Sequence, residues 1–94
     1  MPPPPAPRAF DPDLPARLHP HVALRAESFG ALAYHYDTRR LVFVKSPALV
    51  GVLEDLDCHD TARSAVAAHV APEEVASYVA ALGRLYDSGV VDGR

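Results

Sequence analysis

A single cysteine, no tryptophan and few aromatic side chains set the first limits on this 94-residue chain. Cys58 cannot close an internal disulfide by itself, and without a Cys-x-x-Cys pair there is no ready start to a structural zinc site. Aromatics make up only 7% of a chain that is 49% hydrophobic, so a core can form, but one built of small side chains. An excess of positive charge is missing too: nine Lys and Arg against twelve Asp and Glu give a formal net charge of -3. That removes the attraction behind most non-specific nucleic-acid binding, and no nucleic-acid partner is expected. No apolar run is long enough to cross a bilayer, and the chain does not open with the charged, apolar and small-residue pattern of a secretion signal. The expectation is a cytoplasmic protein without a membrane partner. The five glycines form neither Gly-x-Gly-x-x-Gly nor a phosphate loop, so no cofactor is expected. At this length one core fills one domain, which leaves little room for a catalytic cleft.

Proline is the residue in surplus, and eight of the ten fall within the first twenty positions. Their missing N–H groups and fixed φ oppose helix and sheet, so residues 1–20 read as a disordered or extended arm. That arm should be dispensable as far as Arg17. The domain proper is expected over 21–94. His21 to Ala26 has the alternation of a first strand, and Ala31 to Tyr36 that of a second, with Leu32, Tyr34 and Tyr36 on one face and Ala31, Ala33 and His35 on the other. Asp37-Thr38-Arg39 is turn material, and Arg40 to Lys45 is a third strand that closes a hairpin with the second. Ser46-Pro47 combines a capping hydroxyl with a proline tolerated at the first helical position, predicting a helix from Pro47 to about Leu56. Asp60 or Thr61 caps a short second helix through Ala68. A third begins near Pro72 and Glu73 and stops at Ser88-Gly89, with Val90 and Val91 packing back. The fold class is therefore α+β, a three-stranded antiparallel sheet followed by three helices.

Residues that carry chemistry are present but poorly arranged for it. Cys58-His59-Asp60 holds a nucleophile, a base and a carboxylate, yet consecutive side chains diverge and cannot line up as a relay. His19, His21, His35, His59 and His69 include no pair at helical i, i+4 spacing, and they read as surface or turn residues, not metal ligands. Neither a catalytic nor a metal site is predicted.

Two features remain. The third strand is apolar on both faces and follows a hairpin, so it is a candidate sheet edge whose free N–H and C=O groups could pair with an incoming segment. Coverage of Val42 and Val44 by helices would explain part of the same pattern. On the third helix Val75, Tyr78, Val79, Leu82, Leu85 and Tyr86 form a stripe wider than a core contact needs, with Tyr78 and Leu85 together at one margin.

The segments from His19 to Arg25, from Phe29 to Tyr36 and from Arg39 to Pro47 resemble the peptide chaperones of mycofactocin systems, the MftB family. The resemblance runs from Leu18 to Val91, is most specific from Phe29 to Pro47, and leaves out the proline arm. It implies a winged-helix-like precursor-peptide recognition element, similar to the chaperone of pyrroloquinoline-quinone biosynthesis. It further implies that the leader of a ribosomally synthesised precursor adds as a strand and is handed to a radical S-adenosylmethionine maturase. By this resemblance the site is Arg40, Leu41, Val42, Phe43, Val44 and Lys45 together with Tyr78, Leu82 and Leu85, and no catalytic residue carries over. The competing reading is a winged-helix DNA-binding regulator, since the second and third helices also fit a helix-turn-helix. Against it, the third helix opens on Glu73 and Glu74 and offers Arg84 as its only base.

Overall fold

The computed structural model describes residues 9–93. Pro2 to Pro5, on which much of the arm's reading rests, lie outside that range. The architecture is mixed α and β, with antiparallel sheets and three α-helices. Among the described residues five strands, β1 (Ala16–Leu18), β2 (Val22–Glu27), β3 (Gly30–His35), β4 (Leu41–Val44) and β5 (Val91–Gly93), form two sheets ordered β2-β3-β4 and β1-β5. The helices are α1 (Pro47–Asp55), α2 (Ala62–Ala67) and α3 (Val75–Asp87), with single 3-10 turns after α1 and before α3.

The three-stranded sheet follows from two turns. Between β2 and β3, Ser28-Phe29 is a two-residue connection flanked by the Glu27–Gly30 pair. Gly30 has φ +146°, and a Cβ there would collide with the Val44 carbonyl oxygen, so glycine is required. Between β3 and β4, Arg39 sits at φ +59° and donates its N–H to the His35 carbonyl at 2.8 Å, while the His35 N–H donates to the Arg40 carbonyl at 3.0 Å. His35 thus faces two residues, a bulge that ends the hairpin. The helix starts behave as their residues predict: Ser46 Oγ accepts from the Leu49 N–H, and Thr61 with Ser64 forms a capping box. Gly89, at φ +86°, stops α3 and lets the Val90 N–H return to the Leu85 carbonyl.

One face of the sheet is covered. Ala31, Ala33 and His35 of β3 and Val44 of β4 point inward and are buried. Small residues there let α1 pack against β3, with Val52, Leu53 and Leu56 joining Val66, Leu82 and Val90 in the core.

Part of the segment read as an arm is built into this domain. β1 pairs with β5 from Ala16–Gly93 to Leu18–Val91, and Ala16 is buried. Before it, the Pro12 and Leu14 carbonyls accept the Arg63 and Ala62 N–H groups at 2.8 and 3.1 Å, satisfying donors that the first turn of α2 leaves without helical partners. Arg63 also pairs with Asp13 at 2.8 Å. The prolines misled because they exclude long regular structure, whereas a three-residue strand and a carbonyl cap need neither helix nor ladder. The strands-then-helices order is corrected accordingly, by one short strand at each end.

Candidate functional site

Among the described residues β4 has a strand neighbour on one side only. The parity of its open edge follows from the ladder. His35 and Arg40 are a hydrogen-bonded pair, so with the register Ala33–Val42 and Ala31–Val44 the backbone groups of Val42 and Val44 turn toward β3. Those of Leu41 and Phe43 turn outward. The β2 side agrees, since Tyr36 donates to the His21 carbonyl at 2.9 Å and alternate residues of β3 then serve β4.

Side chains alternate with the same period. Val44 is buried and Val42 half-buried, but Leu41 is 50% and Phe43 58% exposed. Helix coverage therefore explains only half of the apolar pattern in β4. The outer face continues through Tyr34, paired with Leu41, and Leu32, paired with Phe43, and Phe29 lies 6.0 Å from Phe43 between ring centroids. An uncovered apolar sheet face next to a free strand edge is unusual for a chain that works alone.

Beneath the edge lies a groove of about 310 Å³ between β4 and α3, lined by Val42, Phe43, Val44 and Lys45, by Leu49 of α1, and by Ala81, Arg84, Leu85 and Ser88. Of the sequence-derived residues it gathers Val42 to Lys45 and Leu85. Leu41 precedes this stretch on β4, and Arg40 lies just before the strand, which is shorter by one residue at each end than the Arg40 to Lys45 expected. Tyr78 stands at the Ser46 end of α3, half-buried, its hydroxyl 3.0 Å from Ser46 Oγ. Leu82 does not reach the groove: it is fully buried in the core. Ala81, Arg84 and Ser88 were missed. Their signal was the i, i+3, i+7 spacing on the face that also carries Leu85, hidden because none is a large apolar residue.

The other candidates resolve into structure. Cys58 is exposed, and the neighbouring Asp57 carboxylate, then some loss of solvation and Asp55, push its thiol pKa up, which opposes formation of a nucleophilic thiolate. Asp55 sits 3.3 Å from His59 Nε2 and 3.0 Å from His69 Nε2, tying the end of α1 to the turn after α2. His19, His35 and Asp37 bring ligand-type atoms within 4.8 Å of one another. The lone pairs are already used, however. His35 Nδ1 accepts from the Asp37 and Thr38 N–H groups at 3.2 and 3.4 Å, and His19 Nδ1 accepts from the His21 N–H at 3.0 Å. Each neutral ring then carries its proton on Nε2, so these rings shape turns and are poorly prepared to coordinate a cation. On α3, Ala76, Ser77 and Ala80 are exposed, with no base among them, and its one arginine borders the groove. Among the described residues no helix is long and apolar enough to cross a membrane.

The family model described as the peptide chaperone MftB family matches residues 15–92. The chain belongs to the MftB family. Its relatives include the peptide chaperone MftB of Mycolicibacterium smegmatis, 49% identical over 83 residues that span 87% of this chain and 81% of that protein. The protein of the same name from Mycobacterium ulcerans is 48% identical over 81 residues, 85% of this chain and 74% of the relative. That of Mycobacterium tuberculosis is 50% identical over 56 residues, 60% and 51% of the two chains. No solved structure is a significant match. The matched stretch begins one residue before β1 and takes in β5 except Gly93.

Proposed function

We propose that this MftB-family domain is a precursor-peptide recognition element. It binds the leader of a ribosomally synthesised peptide as a strand added to β4, over the groove floored by α3. It then presents that peptide to a radical S-adenosylmethionine maturase in mycofactocin biosynthesis. The observation that carries the reading is the coincidence, on one strand, of an outward-facing backbone at Leu41 and Phe43 with an apolar groove beneath. Backbone pairing supplies sequence-tolerant affinity, and alternate side chains supply selection. Leader residues opposite Val42 and Val44 point into the groove toward Leu85, and those opposite Leu41 and Phe43 extend the outer apolar face. In this reading the domain binds and orients, and the maturase does the chemistry.

Titrating the leader of the precursor encoded alongside this gene into isotopically labelled domain tests it. Amide shifts should concentrate at Leu41 to Lys45 and along Ala81 to Ser88, leaving α2 nearly silent. Shifts confined to α2, or to the β1–β5 sheet, would end the strand-addition model even if the peptide bound.

A further inference from the structure

The cations of this acidic chain are not spread evenly. Of the seven within the described residues, Arg17 pairs with Asp92, Arg25 with Glu27 and Arg63 with Asp13. Arg39, Arg40, Lys45 and Arg84 are the other four, all exposed, and no salt bridge among the described residues engages them. Every one borders β4. Arg39 and Arg40 stand at its start, Lys45 at its end, and Arg84 on the opposite lip of the groove, whose lining contains no carboxylate. Between them the lining is mostly apolar, with Val42, Phe43, Val44, Leu49, Ala81 and Leu85. A site built for a polyanion carries its bases along the whole track. Here the bases stand at two ends and one lip of a short apolar slot.

We propose that the groove selects an acidic extended peptide, one with carboxylates on both flanks of a short apolar stretch. This rests on the reading of the groove as a peptide site and adds its specificity. Arg40 and Lys45 flank β4 immediately before and after it, five positions apart, so the two acidic flanks should be separated by about 17 Å, the span of about five peptide residues. Arg84 meets a third carboxylate where the peptide crosses the helix lip. Exposed pairs of this kind add little affinity each, but four of one sign steer an acidic chain to the edge and reject a basic one.

The test uses three synthetic probes with the same Val-Thr-Val-Thr-Val centre, flanked at both ends by two glutamates, two glutamines or two lysines. They are titrated into the full chain by calorimetry at about 0.02 M and about 0.3 M salt. The glutamate probe should bind about tenfold or more tighter than the glutamine probe at low salt, the lysine probe should be weakest, and the gap should narrow at high salt. Lys45→Gln and Arg84→Gln should each weaken the glutamate probe by about two- to fivefold more than they weaken the glutamine probe. Both side chains are exposed, and matching melting curves confirm folding. Equal binding of the glutamate and glutamine probes, with amide shifts still at β4, overturns charge selection and leaves the peptide site standing. Absence of β4 and α3 shifts with any probe overturns both. Displacement of the glutamate probe by a ten-nucleotide oligothymidylate would assign the cations to nucleic acid and end the proposal.

Discussion

At Phe43 two properties of a strand residue separate cleanly: the ring lies on the uncovered face, and the N–H points to the open edge. One residue earlier both are reversed. Proline at Phe43 therefore removes a donor that no strand among the described residues uses, whereas proline at Val42 removes a ladder bond to β3. The expected outcome is that Phe43→Pro loses leader affinity with a small change in melting, and that Val42→Pro loses about 1 to 3 kcal/mol of stability. Measuring both quantities on both variants checks it, and equal loss of stability would refute the parity. Asp55 provides a second residue-scale test. Hydrogen bonds from His69 first, and then His59, hold its carboxyl below the ordinary 3.8. Because the folded value is the lower one, its contribution to stability is complete above pH 3.8 and is lost as pH falls through the folded value. Asp55→Asn should accordingly flatten the acid side of the stability profile below about pH 4 and remove stability above it, read from denaturant midpoints across that range.

At the scale of elements, α3 serves the core and the groove with adjacent parts of one stripe. Leu82 points into the core with Leu53, Leu56 and Val66, while Leu85, 7% exposed, is shared with the groove wall. Leu82→Ala should cost about 2 to 5 kcal/mol of stability and leave the affinity of the remaining folded protein unchanged. Leu85→Ala should also weaken leader binding, by about 1 to 3 kcal/mol, because the groove loses apolar area that the peptide would cover. Calorimetric binding beside thermal melting separates the two. Helix starts were legible in the sequence because their signals are local: Ser46 and Thr61 cap the helices that begin just after them. The difference between Leu82 and Leu85 was not, since 3.6-residue periodicity gives the direction of a side chain but not what stands opposite it.

At the scale of the whole molecule, the β1–β5 sheet joins the two ends of the described chain, Ala16 to Gly93. Phe10 extends this closure by packing on Tyr86, 5.5 Å between ring centroids. A chain starting at Ala9 should keep these contacts. One starting at His19 lacks β1, the carbonyls that receive the Ala62 and Arg63 N–H groups, and the Asp13–Arg63 pair, and it should melt at a lower temperature. Equal melting of the two would show that β1 contributes nothing to the fold, and the expected dispensability through Arg17 would hold after all. Such pairings escape sequence reading because three residues are too few for periodicity and their partners lie more than seventy positions away. What the sequence by itself determined is what neighbours along the chain can enforce: the hairpin turn at Asp37 to Arg39, the caps of α1 and α2, the stop at Gly89, and the family resemblance carried from Phe29 to Pro47. Only the tertiary structure decided which face of β3 is buried, that Phe43 and not Val42 offers its backbone to the open edge, and that, among the described residues, the four cations outside ion pairs collect around one groove. Alternation along a strand specifies two faces without naming the inner one. The choice falls to whichever face small residues such as Ala31 and Ala33 allow a helix to approach, and that depends on packing between distant parts of the chain.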